Sequence, residues 1–113
     1  MGKLKINYVL EGKWKNKEIY CPPRTDAIKI VGGSSINKER ISSYTVIDES
    51  NKDQYSIWKG ALGVALLGGF GAVAGIGGKN KKEYIVAIEW KDGEKSLILI
   101  DDKYYKLLTK SMF

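Results

Sequence analysis

The feature that most constrains this chain is a run of nineteen residues, Gly60 to Gly78, with no charge and no side chain able to form a hydrogen bond. Eight of the thirteen glycines in the 113-residue chain lie in this run. Glycine costs about 1 kcal/mol relative to alanine at each helix position in water. Small residues recur at four-residue spacing, which lets helix backbones approach closely. We therefore expect close contacts, within the chain, with another chain or with lipid, to offset this cost.

Three structures are compatible with this run. A single transmembrane helix would be just long enough, since a span needs about 20 residues. That arrangement is disfavoured because it would leave a lone hairpin, which is marginally stable, on the far side of the membrane. The second structure is one or two short helices, turning near Gly68-Gly69, that pack on the chain's own sheet. The third is a surface for self-association or a re-entrant membrane contact, which large exposed apolar patches often form.

The function that we expect from this pattern is a non-catalytic interaction module that self-associates into a homo-oligomer through the run. Six residues are the candidates for the oligomer or membrane contact: Gly63, Leu67, Phe70, Gly71, Gly75 and Ile76. Lysines flank the run and are candidates for binding a small phosphorylated ligand or an anionic headgroup: Lys59, Lys79, Lys81 and Lys82. Peripheral, but not integral, membrane association through both sets is an alternative function.

Alternating apolar residues predict about six strands around an insertion at about 59–79. Four strands are predicted before it, at 4–8, 14–20, 27–31 and 40–47, with turns at Glu11-Gly12-Lys13 and Gly32-Gly33. After it, Tyr84–Trp90 and Ser96–Ile100 are predicted to pair as a hairpin, because Asp92-Gly93 is a strong turn signal.

A C-terminal helix is predicted to follow the hairpin and to begin at Asp101 or Asp102, since acidic residues cap helix starts. Its apolar stripe, suited to packing across a sheet, consists of Tyr104, Leu107, Leu108 and Met112. The predicted fold is therefore α+β and mainly β, a curled antiparallel sheet closed by the helix, in a single domain of residues 1–113.

The residues required for common catalytic centres are scarce. The chain has no histidine and one cysteine, Cys21, so zinc sites and Ser-His or Cys-His nucleophiles are not expected. Gly78-Lys79 is followed by Asn80 and not by serine or threonine, so it does not complete a phosphate loop. We expect no enzyme, no cofactor and no metal, and the lone cysteine is compatible with the cytoplasm.

The net charge of +6, from 19 basic and 13 acidic residues, favours anionic partners. Trp14, Trp58 and Trp90, together with seven tyrosines, could line a stacking groove beside lysines, as in proteins that bind single-stranded nucleic acid. In a chain of this size aromatic residues more often fill the core. Nucleic acid is therefore a disfavoured partner.

The segment from Lys59 to Phe113 combines a glycine-rich run, a lysine-rich bridge, the pattern Tyr-x-Val-x-Ile-x-Trp-Lys-Asp-Gly-x-Lys-Ser-Leu-Ile from residue 84, and a short amphipathic helix. It resembles small uncharacterised bacterial and phage proteins of pleckstrin-homology-like (PH-like, GRAM-like) architecture. The resemblance implies a curled antiparallel sheet with a C-terminal helix, and it carries no ligand residues, since one fold hosts many functions. A further alternative function is a phage counter-defence protein that sequesters a nucleotide signal or a host protein.

Overall fold

The computed structural model describes residues 6–47, 54, 58 and 83–113. The described residues form seven strands, Tyr8–Gly12 (β1), Ile19–Tyr20 (β2), Ile28–Ile30 (β3), Ser35–Ile36 (β4), Ile41–Ile47 (β5), Glu83–Trp90 (β6) and Lys95–Asp101 (β7), and one helix, Asp102–Ser111 (α1). The prediction of a mainly β chain with a C-terminal helix is confirmed for this part of the chain. The predicted insertion at about 59–79 lies outside the described residues.

The strands form two antiparallel sheets. One has the order β1-β7-β6-β5 and the other the order β2-β3-β4. The sheets are linked where β1 approaches the start of β2: the Val9 N–H donates to the Lys17 carbonyl (2.9 Å) and the Ile19 N–H donates to the Asn7 carbonyl (2.8 Å). Because β1 belongs to one sheet and contacts the other, the backbone curls around a shared core.

The main core lies between the two sheets and α1. Its fully buried side chains come from both sheets and from the helix: Ile19, Ile28, Ile36, Ile41, Val86, Ile88, Ile98, Ile100 and Leu108. Burying each of these side chains contributes about 1.5–3 kcal/mol of hydrophobic stabilisation. The small sheet and the helix are therefore held to the large sheet by apolar packing.

The other face of the large sheet is also buried. Ile47, Ile85 and Leu97 are almost inaccessible there, and Trp58, 8% exposed, packs against them. Strands that are buried on both faces consist of continuous apolar runs instead of alternating ones. This explains why Tyr84–Trp90 and Ser96–Ile100 lack a polar face.

Helix α1 begins where the sequence predicts. The Asp101 carboxylate accepts a hydrogen bond from the Tyr104 N–H (2.9 Å) and caps the first turn. Leu108 of the predicted stripe is fully buried, and the other three members pack at the edge of the main core. At its C-terminal end, the Ser111 carbonyl accepts a hydrogen bond from the Lys38 N–H (3.3 Å), so the helix is joined to the turn after β4. No helix in the described part of the chain is long and apolar enough to cross a membrane.

The structure differs from the predicted elements at three places. Strand β1 begins at Tyr8, the residue at which the predicted first strand ends, and it continues through Gly12, so the turn follows at Lys13 to Asn16. Trp14 does not begin a strand: it lies in the turn after β1, and its φ of 66° is in the left-handed region, which residues with a bulky side chain rarely adopt. The short strand β4 was not predicted.

Candidate functional site

A surface pocket with a volume of about 580 Å³ lies where four chain connections meet. Its lining comes from the β1–β2 turn (Lys13, Trp14), the β3–β4 turn (Gly32, Gly33, Ser34), the β4–β5 turn (Glu39, Arg40), and the end of β6 with the turn after it (Trp90, Lys91, Asp92). We call it the turn-end pocket. Pockets that hold small molecules have volumes of about 300–1,000 Å³, so its size suits a small ligand.

A chain of hydrogen bonds joins two residues of the lining, Trp90 and Lys13. The indole N–H of Trp90, a residue 3% exposed, donates to the hydroxyl of the buried Ser96 (2.8 Å), and that hydroxyl donates to the carbonyl of Lys13 (2.7 Å). These bonds join β6, β7 and the β1–β2 turn. The indole N–H of Trp90 and the hydroxyl of Ser96 are therefore both hydrogen-bonded, and the Trp90 ring is held in place.

Trp14 forms a wall of the pocket in a strained conformation. Its φ of 66° is unfavourable for a bulky residue, by about 1–2 kcal/mol. Gly33 lies so close to the indole that a Cβ atom there would be 2.8 Å from the ring. The Trp90 ring approaches at 5.1 Å between centroids in a T-shaped arrangement, and the Lys13 ammonium lies 4.6 Å from the ring centroid. Backbone strain of this kind often occurs at ligand sites.

The basic and acidic groups of the pocket differ in their pairing. The Lys13 ammonium and the Asp92 carboxylate form an ion pair at 2.5 Å. Asp92 also accepts a hydrogen bond from the Glu94 N–H (2.8 Å). The hydrogen bond from Lys13, and then that from the Glu94 backbone, hold the pKa of Asp92 below its usual value. Within the described residues, no ion pair or side-chain hydrogen bond involves the Arg40 guanidinium, the Lys91 ammonium or the Glu39 carboxylate.

The backbones that carry these three charges are held in place by a capped turn. The Asn37 side-chain oxygen accepts from the N–H groups of Glu39 (3.0 Å) and Arg40 (3.2 Å). The Lys91 N–H donates to the Arg40 carbonyl (2.9 Å), where the ends of β5 and β6 meet. Arg40 and Lys91 are therefore neighbours across the strand ends, with Glu39 beside them.

The site residues predicted from the sequence stay predictions, because the structure does not describe them. Gly63, Leu67, Phe70, Gly71, Gly75, Ile76, Lys59, Lys79, Lys81 and Lys82 all lie outside the described residues. Of the three tryptophans, Trp14 and Trp90 meet at the pocket, whereas Trp58 packs on the other face of the large sheet. Gly32-Gly33 and Asp92-Gly93 were predictable as turns from their residue types, but no local signal places the two turns at the same end of the molecule.

Two other polar groupings lie away from the pocket. Tyr84 and Tyr105 stack at 4.1 Å between β6 and α1, and the Tyr84 hydroxyl donates to Asp102 (3.0 Å). Burial, and then the hydrogen bond to Asp102, raise the pKa of Tyr84. The Cys21 thiol donates to the Thr25 carbonyl (3.4 Å). Among the described residues, no group of three or more potential ligands could hold a metal ion.

Comparison of the chain with known protein families, with characterised proteins and with solved structures finds no significant match. The resemblance to PH-like proteins therefore stays a prediction.

Proposed function

We propose that this protein is a non-catalytic binding domain that holds a small anionic ligand in the turn-end pocket. The observation that carries the proposal is that Arg40 and Lys91 line the pocket without an acidic partner among the described residues. Lys13, by contrast, is neutralised by Asp92. Two of the three cations that line the pocket are therefore free to bind a ligand.

The placement of Arg40 and Lys91 suits an oxyanion. Their backbones are joined by a hydrogen bond of 2.9 Å, so their charged ends can reach the same point. Two adjacent positive charges repel each other, and an anion between them relieves that repulsion. A guanidinium also presents a planar fork of donors that matches the oxygens of a phosphate or carboxylate. The net charge of +6 raises the local concentration of such ligands.

A pyrophosphate titration tests this proposal, with binding followed by calorimetry. The Arg40→Gln and Lys91→Gln variants should each weaken binding about tenfold or more, because hydrogen bonds to charged groups contribute about 1.5–3 kcal/mol. The chain offers matched controls: Arg24, its other arginine, and Lys29 on β3 are exposed and do not line the pocket. Arg24→Gln and Lys29→Gln should leave the affinity within about twofold. Equal losses in all four variants would contradict a localised site.

We also propose that the arrangement is PH-like. Two antiparallel sheets that curl around one core, followed by a helix that packs between them, support this proposal. Cross-strand distances measured by NMR would test it. A continuous strand ladder closing β4 onto β5 would contradict it.

Self-association through residues 60–78 and membrane contact through Lys79, Lys81 and Lys82 stay predictions from the sequence. Light scattering at micromolar concentration tests the first, and a monomer would overturn it. Flotation with anionic vesicles at low salt tests the second, and absence of binding would overturn it.

A further inference from the structure

The turn-end pocket contains an acidic group that a site for a simple anion would not need. The Glu39 carboxylate lines the same pocket as Arg40 and Lys91 and has no partner among the described residues. The other carboxylate of the lining, Asp92, is occupied by Lys13 and by the Glu94 N–H. The pocket therefore presents two free cations and one free anion.

Hydrogen bonds also hold the backbone of Glu39 and Arg40 in place. The side-chain oxygen of Asn37 accepts hydrogen bonds from the N–H groups of both residues, at 3.0 Å and 3.2 Å. The Asn37 carbonyl accepts from Arg40 and from Ile41, at 3.0 Å and 2.9 Å. Because both side chains line the pocket and these hydrogen bonds hold the backbone that carries them, a ligand bound at the guanidinium lies near the neighbouring carboxylate.

A ligand with negative charge alone would be attracted by Arg40 and Lys91 and repelled by Glu39. In a ligand that carries an ammonium group beside its oxyanion, Arg40 and Lys91 would attract the oxyanion and Glu39 would attract the ammonium group. A ligand gains little by stacking on the Trp14 ring, because Gly33, Trp90 and the Lys13 ammonium already lie against that ring. Recognition in this pocket is therefore ionic and depends on both signs of charge.

We infer that the ligand of the turn-end pocket is a zwitterion, with an oxyanion bound between Arg40 and Lys91 and an ammonium group bound by Glu39. This inference rests on the proposed function and names the ligand class of that same site. It makes Glu39 the residue that selects zwitterions over simple anions.

Two ligands of the same length test the inference. O-phosphoethanolamine carries an ammonium group where propyl phosphate carries a methyl group, and both carry the same phosphate. Wild-type protein should bind O-phosphoethanolamine about tenfold more tightly than propyl phosphate. The Glu39→Gln variant should remove this preference by weakening the first ligand while leaving the second unchanged or tighter. Glu94→Gln, in the neighbouring β6–β7 turn but outside the lining, is the matched control and should keep the preference.

The outcomes separate this inference from the proposed function. Equal binding of the two ligands, with loss of both in Arg40→Gln, would overturn the zwitterion while leaving the anion site intact. Binding of neither ligand at millimolar concentration would overturn both proposals. A second arm uses phosphatidylcholine vesicles, whose quaternary ammonium has no N–H to donate to the Glu39 carboxylate, with and without phosphatidylethanolamine. Sedimentation with the latter lipid that depends on Glu39 would support the inference and assign the headgroup to a membrane surface, whereas binding of the soluble ligand alone would support a free metabolite.

Discussion

Ser96 is the only buried polar residue in the part of the chain that the structure describes, and it accepts from the Trp90 indole while donating to the Lys13 carbonyl. Ser96→Ala would leave the buried indole N–H without an acceptor and the carbonyl without this donor. An unsatisfied buried group costs about 1–3 kcal/mol. We expect the free energy of unfolding to fall by about that amount in urea denaturation.

Ser42→Ala is the matched control for this substitution. The Ser42 hydroxyl also donates to a carbonyl, that of Glu89 (3.2 Å), but it is exposed. Water can replace this bond, so Ser42→Ala should lower the free energy of unfolding by no more than about 0.5 kcal/mol. If both variants lose the same free energy of unfolding, the hydrogen bonds among Trp90, Ser96 and Lys13 stabilise the fold no more than an exposed hydrogen bond does.

Gly33 controls the position of Trp14. A Cβ atom at Gly33 would lie 2.8–2.9 Å from three atoms of the indole, a distance that forces the ring to move. We therefore expect Gly33→Ala to shift the Trp14 indole N–H resonance in an NMR spectrum, with the assignment made from Trp14→Phe. The Trp90 indole resonance should move less, because the Ser96 hydroxyl fixes that ring.

Ser34→Ala provides the control in the same turn, since it changes a pocket residue that already has a Cβ. It should leave the Trp14 resonance in place. An unchanged Trp14 resonance in Gly33→Ala would show that the wall of the pocket is not set by this contact.

At the scale of elements, α1 depends on its N-cap. The Asp101 carboxylate accepts from the Tyr104 N–H (2.9 Å) and from the Asn7 side chain (3.3 Å). Asp101→Ala should lower the free energy of unfolding by about 1 kcal/mol, up to about 2, as loss of an N-cap does. Asp101→Asn keeps a capping oxygen and should retain most of the stability. Equal destabilisation by both, measured by urea denaturation, would assign the effect to charge instead of capping.

The elements predicted well from the sequence are those with local signals. The hairpin of β6 and β7 follows from Asp92-Gly93, where Gly93 takes a φ of 93° that other residues rarely adopt. The start of α1 follows from Asp101, and its packing face from the spacing that buries Leu108. In these cases neighbouring residues determine the conformation.

The elements predicted poorly are those that depend on distant partners. Strand β4 has two residues and exists because Ile36 pairs with Ile28 and packs in the main core. Trp14 looked like a strand residue by its type, yet contacts with Gly33 and Trp90 keep it in a left-handed turn. Tertiary contacts outweigh the intrinsic preference at such positions.

At the scale of the whole molecule, dependence on residues that are distant in the chain also explains why the turn-end pocket could not be predicted. Lys13 and Asp92 lie 79 positions apart in the chain and form an ion pair. Arg40 and Lys91 become neighbours only because β5 pairs with β6, with Ile41 opposite Trp90. The sequence identified the turns, but their meeting at one end requires the strand order.

Two ion pairs join distant parts of the molecule and make its stability depend on pH. Lys110 of α1 binds Asp26, between β2 and β3 (2.8 Å), and Lys13 binds Asp92. In each pair the hydrogen bond from the lysine lowers the pKa of the aspartate. The folded state therefore binds these protons less tightly than the unfolded chain. Their stabilising contribution is complete above the unfolded pKa of about 3.9 and is lost as the pH falls through the lower folded pKa.

Asp26→Asn and Asp92→Asn test this dependence. Each variant should unfold at lower urea than the wild type at neutral pH, and the difference should shrink between about pH 4 and pH 2, because the wild-type carboxyl groups then also lose their charge. About 1 M salt should shrink the difference at neutral pH, since both pairs are exposed and screened. If the difference in urea midpoint stays constant from neutral to acid pH, the asparagines act through packing or hydrogen bonding. The two ion pairs would then not contribute to stability through their charge.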